Sequence, residues 1–126
     1  MVQSFDPRGN FIAIEVDLSG PSASYLATFA LDTGSNQTGV SIDLLRLLGV
    51  DMTQPYRDVK VLTANGEVIV SEFVLDSLKA FGIDVSPIHV LAVDLPSVGY
   101  QGLLGTDFLD GSVLTVDFRQ GIVVVN

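Results

Sequence analysis

The chain carries few residue types able to do covalent or metal chemistry. It has no cysteine and one histidine, His89, beside fifteen aspartates and glutamates. Without cysteine there is no thiolate nucleophile, thiolate metal site or disulfide framework. Without a second histidine, or carboxylates clustered at ligand spacing, a zinc site has no support. No Gly-x-Ser-x-Gly turn is present to expose Ser35 as a nucleophile, and neither a Walker loop nor a dinucleotide fingerprint occurs. His89, alone in an apolar stretch, reads as a surface or satisfied side chain. The stretch around which the chain is organised is Leu31-Asp32-Thr33-Gly34-Ser35, which carries one carboxylate, Asp32. It falls in a tight turn just past an alternating apolar stretch, residues 25–31. Loops held by a rigid scaffold are where reactive side chains tend to sit.

The elements that must position Asp32 can be read from periodicity. Residues 11–18 alternate strictly, with Ile12, Ile14, Val16 and Leu18 on one face and Ala13, Glu15 and Asp17 on the other, the pattern of a half-buried strand. A turn cluster at 19–24 joins it to the strand at 25–31, so a hairpin delivers Asp32. After the polar loop 36–39, Ser41 reads as the N-cap of a short helix at 42–48 that Gly49 stops. Residues 58–63 and 67–75 flank Ala64-Asn65-Gly66. Asn-Gly between apolar runs predicts a hairpin with a type I′ turn, which needs positive φ at both central residues. Residues 77–84 are ambiguous and read as a continuation of that strand that then turns at Phe81-Gly82. A strand at 88–93 follows Pro87, a residue tolerated at strand starts, and 95–100 reads as a loop. Residues 102–105 lead into a second short helix at 106–109, and strands at 113–118 and 122–125 close across Arg119-Gln120-Gly121. This spacing predicts an all-β domain, a closed or partly closed barrel with one or two short helices.

Bulk properties set further bounds. At 126 residues, 48% hydrophobic and 17% charged, one domain at 11–126 preceded by an N-terminal arm at 1–10 is expected. A net charge of −9 with only six lysines and arginines does not suit a nucleic-acid binder, which needs cations to displace counterions from phosphates. No stretch has the roughly 18 uninterrupted apolar residues of a membrane helix. Residues 1–10 are polar and do not read as a signal peptide, so the expected location is cytoplasmic. Asn36-Gln37-Thr38 matches a glycosylation sequon but reads as accidental beside the Asp32 turn.

About seventy residues after Asp32 comes Gly102-Leu103-Leu104-Gly105-Thr106-Asp107-Phe108-Leu109. Asp-Thr-Gly-Ser after an apolar strand, followed at this distance by Leu-Leu-Gly, resembles the aspartic proteases of the single-domain retropepsin-like type. The resemblance runs from about residue 11 to the C-terminal end. It implies an aspartic endopeptidase acting on peptide or protein substrates through an aspartate dyad and an activated water, with no cofactor and no metal. Relatives of the pepsin-like type carry two Asp-Thr-Gly motifs in a double-length chain. A single motif implies a homodimer in which each subunit gives one Asp32. The chemistry reaches the same place independently, because two carboxylates must share a proton and a twofold axis supplies the second.

The resemblance also assigns supporting roles. Thr33 would bond across the dimer axis, and Gly34 would let its N–H approach the carboxylate. A Ser35 hydroxyl donating to the carboxylate would favour its charged form and give an acidic optimum. Leu103, Leu104 and Gly105 would pack beneath the catalytic turn. Thr63, Ala64, Asn65 and Gly66 would form the tip of a substrate-covering flap. Asp107 reads as a helix N-terminal charge rather than a substrate contact. The chain departs from the family in its polar loop at 36–39 and in a flap without tyrosine, and no role falls to residues 1–10 or 122–126. Two other readings stand beside the enzyme. One is a catalytically weak or inactive protease-like dimerisation or peptide-binding module. The other is a monomeric barrel in which Asp32 caps its own turn.

Overall fold

The computed structural model describes residues 1–96 and 99–126. In chain order the elements are β1 (Val2–Ser4), β2 (Ala13–Ser19), β3 (Ser24–Leu31), β4 (Gly39–Ser41), α1 (Ile42–Leu47), β5 (Arg57–Thr63), β6 (Gly66–Leu75), β7 (Ser77–Ala80), β8 (Ile83–Val85), β9 (Ile88–Val93), β10 (Gly102–Leu104), β11 (Leu114–Asp117) and β12 (Ile122–Val125). They form a nine-stranded sheet, ordered β5-β6-β9-β4-β10-β3-β2-β7-β8, and a three-stranded sheet, β1-β12-β11. The larger sheet ends on two free edges, β5 and β8, so the barrel is partly closed. The expected all-β class holds, with one short helix.

Alternation builds the core as the sequence suggests. Ile14, Val16 and Leu18 of β2 are buried while Glu15 and Asp17 face solvent. Opposite them β3 contributes Ala27 and Phe29. The helix adds Leu44 and Leu45, with Leu48 just past its end. Ser41 caps α1 through Oγ, which accepts from the Leu44 N–H at 3.2 Å. Gly49 ends it with φ +88°. Its N–H bonds the Arg46 carbonyl and the Val50 N–H bonds the Leu45 carbonyl, the paired closing bonds of a Schellman stop.

Three local expectations are corrected. Residues 106–111 form consecutive turns rather than a helix, closed by i to i+3 bonds from Phe108 to Gly105 and from Leu109 to Thr106. The β5–β6 turn is not type I′. Thr63 pairs Gly66, and Gly66 alone in that turn has positive φ, +103°. The positive φ thus falls on the paired Gly66 rather than on Ala64 or Asn65, and the ladder continues from that pair without a break in register. The type I′ geometry appears instead at Phe81-Gly82, with φ of +54° and +74°, between paired Ala80 and Ile83. Burial of the Phe81 ring in the core offsets its backbone strain. The expected loop at 95–100 includes residues 97 and 98, which lie outside the described ones.

β10 matters most for the site. It runs parallel to β3, pairing Leu103 with Ala30 and Leu104 with Leu31, and antiparallel to β4, pairing Gly102 with Val40. A Cβ at Gly102 would run into the Phe29 ring and the Gly39 carbonyl. Packing of the Phe29 ring and the Gly39 carbonyl against this backbone is what the glycine permits. Gly102→Ala should cost about 1–3 kcal/mol through overpacking, read as a lower urea midpoint with an unchanged slope.

Candidate active site

Asp32 sits where β3 leaves the sheet, half-buried. Backbone bonds fix it from both sides. Its N–H donates to the Leu104 carbonyl at 3.0 Å, and the Leu31 N–H donates to Ile12 at 2.9 Å. Its carbonyl accepts from the Ser35 N–H at 3.2 Å. The carboxylate Oδ1 accepts from the Gly34 N–H at 3.1 Å. A Cβ on Gly34 would lie 3.3 Å from that same oxygen, so the close approach expected of Gly34 is present. Thr33 and Gly34 are exposed at the tip of the turn.

The second segment clamps the turn from beneath. Thr106 N–H donates to the Ser35 carbonyl at 2.8 Å. A Cβ at Gly105 would lie 2.8 Å from the Ser35 carbonyl oxygen and 2.9 Å from the Gln37 carbonyl carbon. Only glycine lets the two segments touch. The structure thus brings together Asp32, Gly34, Ser35, Leu104 and Gly105, while Leu103 pairs at the same strand. Thr63, Ala64, Asn65 and Gly66 are exposed at the far end of the β5–β6 hairpin.

The aspartyl protease family matches residues 14–108, from the first core strand through this clamp. The chain belongs to the aspartyl protease family. A retropepsin-like aspartic protease from Rickettsia conorii shares the fold, with a TM-score of 0.75 at 21% identity over 100% of this chain and 89% of that one. No curated protein matches the chain.

Against that family background the Ser35 expectation needs correction. Its hydroxyl donates to the Gln37 carbonyl at 2.9 Å, not to Asp32. Ser35 shapes the loop rather than the charge on the carboxylate, so the acidic optimum inferred from that bond loses its basis. Asp107 is corrected too. With no helix at 106–109 there is no dipole for it to complement. Its Oδ2 accepts from the Thr38 N–H at 3.0 Å and its Oδ1 from the Thr38 hydroxyl at 2.8 Å. That hydroxyl oxygen in turn accepts from the Gly105 N–H at 3.1 Å. Thr38 is fully buried, so this trio satisfies polar groups that water does not reach. The polarity of the 36–39 loop, which the sequence left unexplained, is spent inward.

Glu72 is the residue that sequence reasoning missed. It is 1% exposed. Its Oε1 accepts from Gln37 Nε2 at 2.8 Å and from Nε and Nη2 of Arg57, both at 3.3 Å. Its Oε2 meets His89 Nδ1 at 3.0 Å. Arg57 lies directly across the β5–β6 ladder from Glu72, an opposite-charge pair visible in the sequence once that register is known. Burial acts to raise the Glu72 carboxyl, but Gln37, His89 and Arg57 outweigh it and hold it below its ordinary value of 4.5. Among the described residues, no group of three or more His, Cys, Asp or Glu side chains is arranged to hold a metal ion. Among the described residues no helix is long and apolar enough to cross a membrane.

Two stability predictions follow from these contacts. Asp107→Ala leaves the Thr38 N–H and hydroxyl without acceptors and should cost about 1–3 kcal/mol, with Asp107→Asn intermediate, in chemical denaturation. Glu72→Gln should cost a similar amount, about 1–3 kcal/mol, at neutral pH. Because the folded carboxyl titrates below its unfolded value, its contribution is complete above 4.5 and fades as pH falls through the depressed folded value. The stability gap between wild type and Glu72→Gln should therefore narrow in acid; a gap constant with pH would contradict the assignment.

Proposed function

We propose that the chain is an aspartic endopeptidase that works as a homodimer, with Asp32 of each subunit meeting across a twofold axis. The observation that carries this reading is the Asp32 turn itself. Its backbone is fixed by β10 and by Gly105–Thr106, while among the described residues the carboxylate accepts only the one Gly34 bond. One chain supplies one such carboxylate, and acid–base hydrolysis through a proton-sharing pair needs two. Two carboxylates at close range repel when both are charged, so the pair keeps one proton. The ionised member takes a proton from a bound water, which attacks the scissile carbonyl, and the protonated member donates to that carbonyl oxygen. No covalent acyl-enzyme forms.

The β5–β6 hairpin serves as the flap in this reading. Beyond its base its side chains are largely solvent-facing, with Leu62 at 82% and Ile69 at 69% exposure. Apolar groups left exposed on a hairpin suit a surface that closes on a ligand. β5 is an edge strand, and Thr63, Ala64, Asn65 and Gly66 form its tip. Thr33 of the two subunits would bond each other across the axis, and the substrate would be an extended peptide segment.

Asp32→Asn should reduce cleavage of a fluorogenic peptide by at least about 10²–10⁴-fold while sedimentation still shows a dimer. A statine-type inhibitor should block the wild-type activity. A wild-type dimer that binds peptide without cutting it would make this a binding module instead. A protein that stays monomeric at every concentration would leave Asp32 as a turn cap.

A further inference from the structure

Gln37 of the Asp32 loop, Arg57 of β5 and His89 of β9 converge on one buried carboxylate, that of Glu72 in β6. Arg57 and Glu72 form the base of the hairpin, since the Tyr56 N–H also donates to the Glu72 carbonyl at 2.8 Å. Gln37 reaches back toward Asp32, because its carbonyl accepts the Ser35 hydroxyl and the Ser35 N–H bonds the Asp32 carbonyl. We propose that Glu72 is a positioning residue, a single buried anchor that ties the Asp32 loop to the base of the β5–β6 hairpin. The proposal rests on the endopeptidase reading for the roles of loop and hairpin.

A buried charge is an expensive way to hold strands together. An apolar side chain of similar size would pack at least as well. What an apolar group would lack is direction. The carboxylate fixes where a donor from each of three separate segments must lie, which serves registry. It lies opposite the core-facing Phe73 and Leu75 of the same strand. Arg57, His89 and Gln37 face it directly, the Tyr56 ring stands edge-on to His89 at 4.6 Å, and Asn36 and Asp107 line the same groove of about 640 Å³. In either its Nδ1–H neutral form or its charged form His89 can donate to Glu72. The anchor is thus lost chiefly by protonating the carboxylate itself. Its depressed titration keeps it ionised into acid.

Glu72→Gln and Gln37→Leu test the anchor from its two ends. Each should lower kcat roughly 10- to 100-fold, with KM changed less than about threefold, since displacement of a catalytic group costs rate more than binding. The wild-type to Glu72→Gln ratio should shrink as pH falls and the wild-type carboxyl takes its proton. Amide hydrogen exchange at Ser35 and Thr38 should rise by about tenfold in both variants, a readout that needs no turnover. Folded variants with wild-type kcat and unchanged exchange at Ser35 and Thr38 would overturn the proposal. Should Glu72→Gln fail to fold, Gln37→Leu decides, because it leaves the Arg57 and His89 bonds in place. If wild type cleaves no peptide, the endopeptidase reading fails and exchange alone decides the anchor.

Discussion

A carboxylate that is to exchange protons has to be held still without having its own oxygens consumed. The Asp32 turn meets this condition through its backbone. The Asp32 N–H and carbonyl, and the neighbouring Ser35 carbonyl, are all engaged, whereas the side chain accepts a single bond. Two of the holding groups, the Leu104 carbonyl and the Thr106 N–H, come from β10 and the turn after it, a segment some seventy residues away in sequence. That is why Gly102 and Gly105 matter. Each lies where a Cβ would collide with the segment it must touch, and without that contact Asp32 would sit at the end of an ordinary hairpin.

Around this fixed turn the polar groups are sorted by depth. Thr38 is fully buried, so its N–H and hydroxyl must be paired inside the protein, and Asp107 takes both. Gln37 turns its amide to Glu72. The loop after Asp32 is therefore stitched on two sides, to the 106–111 turns and to the β6 strand. Each stitch is charge-assisted, and such bonds are roughly twice as strong as neutral ones.

Much of the frame was legible in the sequence, and the reason is local. Alternation at Ile14, Val16 and Leu18 encodes a face, and Ser41 and Gly49 encode the two ends of a helix, because each signal acts within a turn or two of its own position. Asp-Thr-Gly-Ser with Leu-Leu-Gly at its distance pointed to two segments that do meet, but through the family resemblance rather than through local pattern; at Gly105 their contact leaves no room for a Cβ. What escaped was long-range and made by side chains. Nothing in the spacing of Thr38 and Asp107 says that they bond. The charge at Asp107, read as complementing a helix, in fact serves a partner across the fold. The Ser35 hydroxyl was assigned to the Asp32 carboxylate, and only the folded loop shows it on the Gln37 carbonyl. At Asn65-Gly66 the turn signal was right about location and wrong about type, because the positive φ falls on Gly66, already paired with Thr63, and not on both central residues.

Two carboxylates in this region are treated in opposite ways. Glu72 is buried among an arginine, a histidine and an amide, so its charged form is stabilised and its protonation is discouraged. It can direct neighbours but is poorly suited to passing protons. Among the described residues Asp32 receives one backbone N–H and no arginine, lysine or histidine bond. Burying a second copy of the same acid beside it would be costly unless one proton were shared, and that shared proton is what acid–base hydrolysis uses. Arg57 and His89 thus sit on the carboxylate that is held fixed, and neither bonds the one to which the proposed chemistry falls. An arginine set beside Asp32 would stabilise a dimer of the turns electrostatically, yet it would also hold both carboxylates ionised and remove the acid from the pair. The lack of such a cation at Asp32 is therefore a physical requirement of the proposed chemistry.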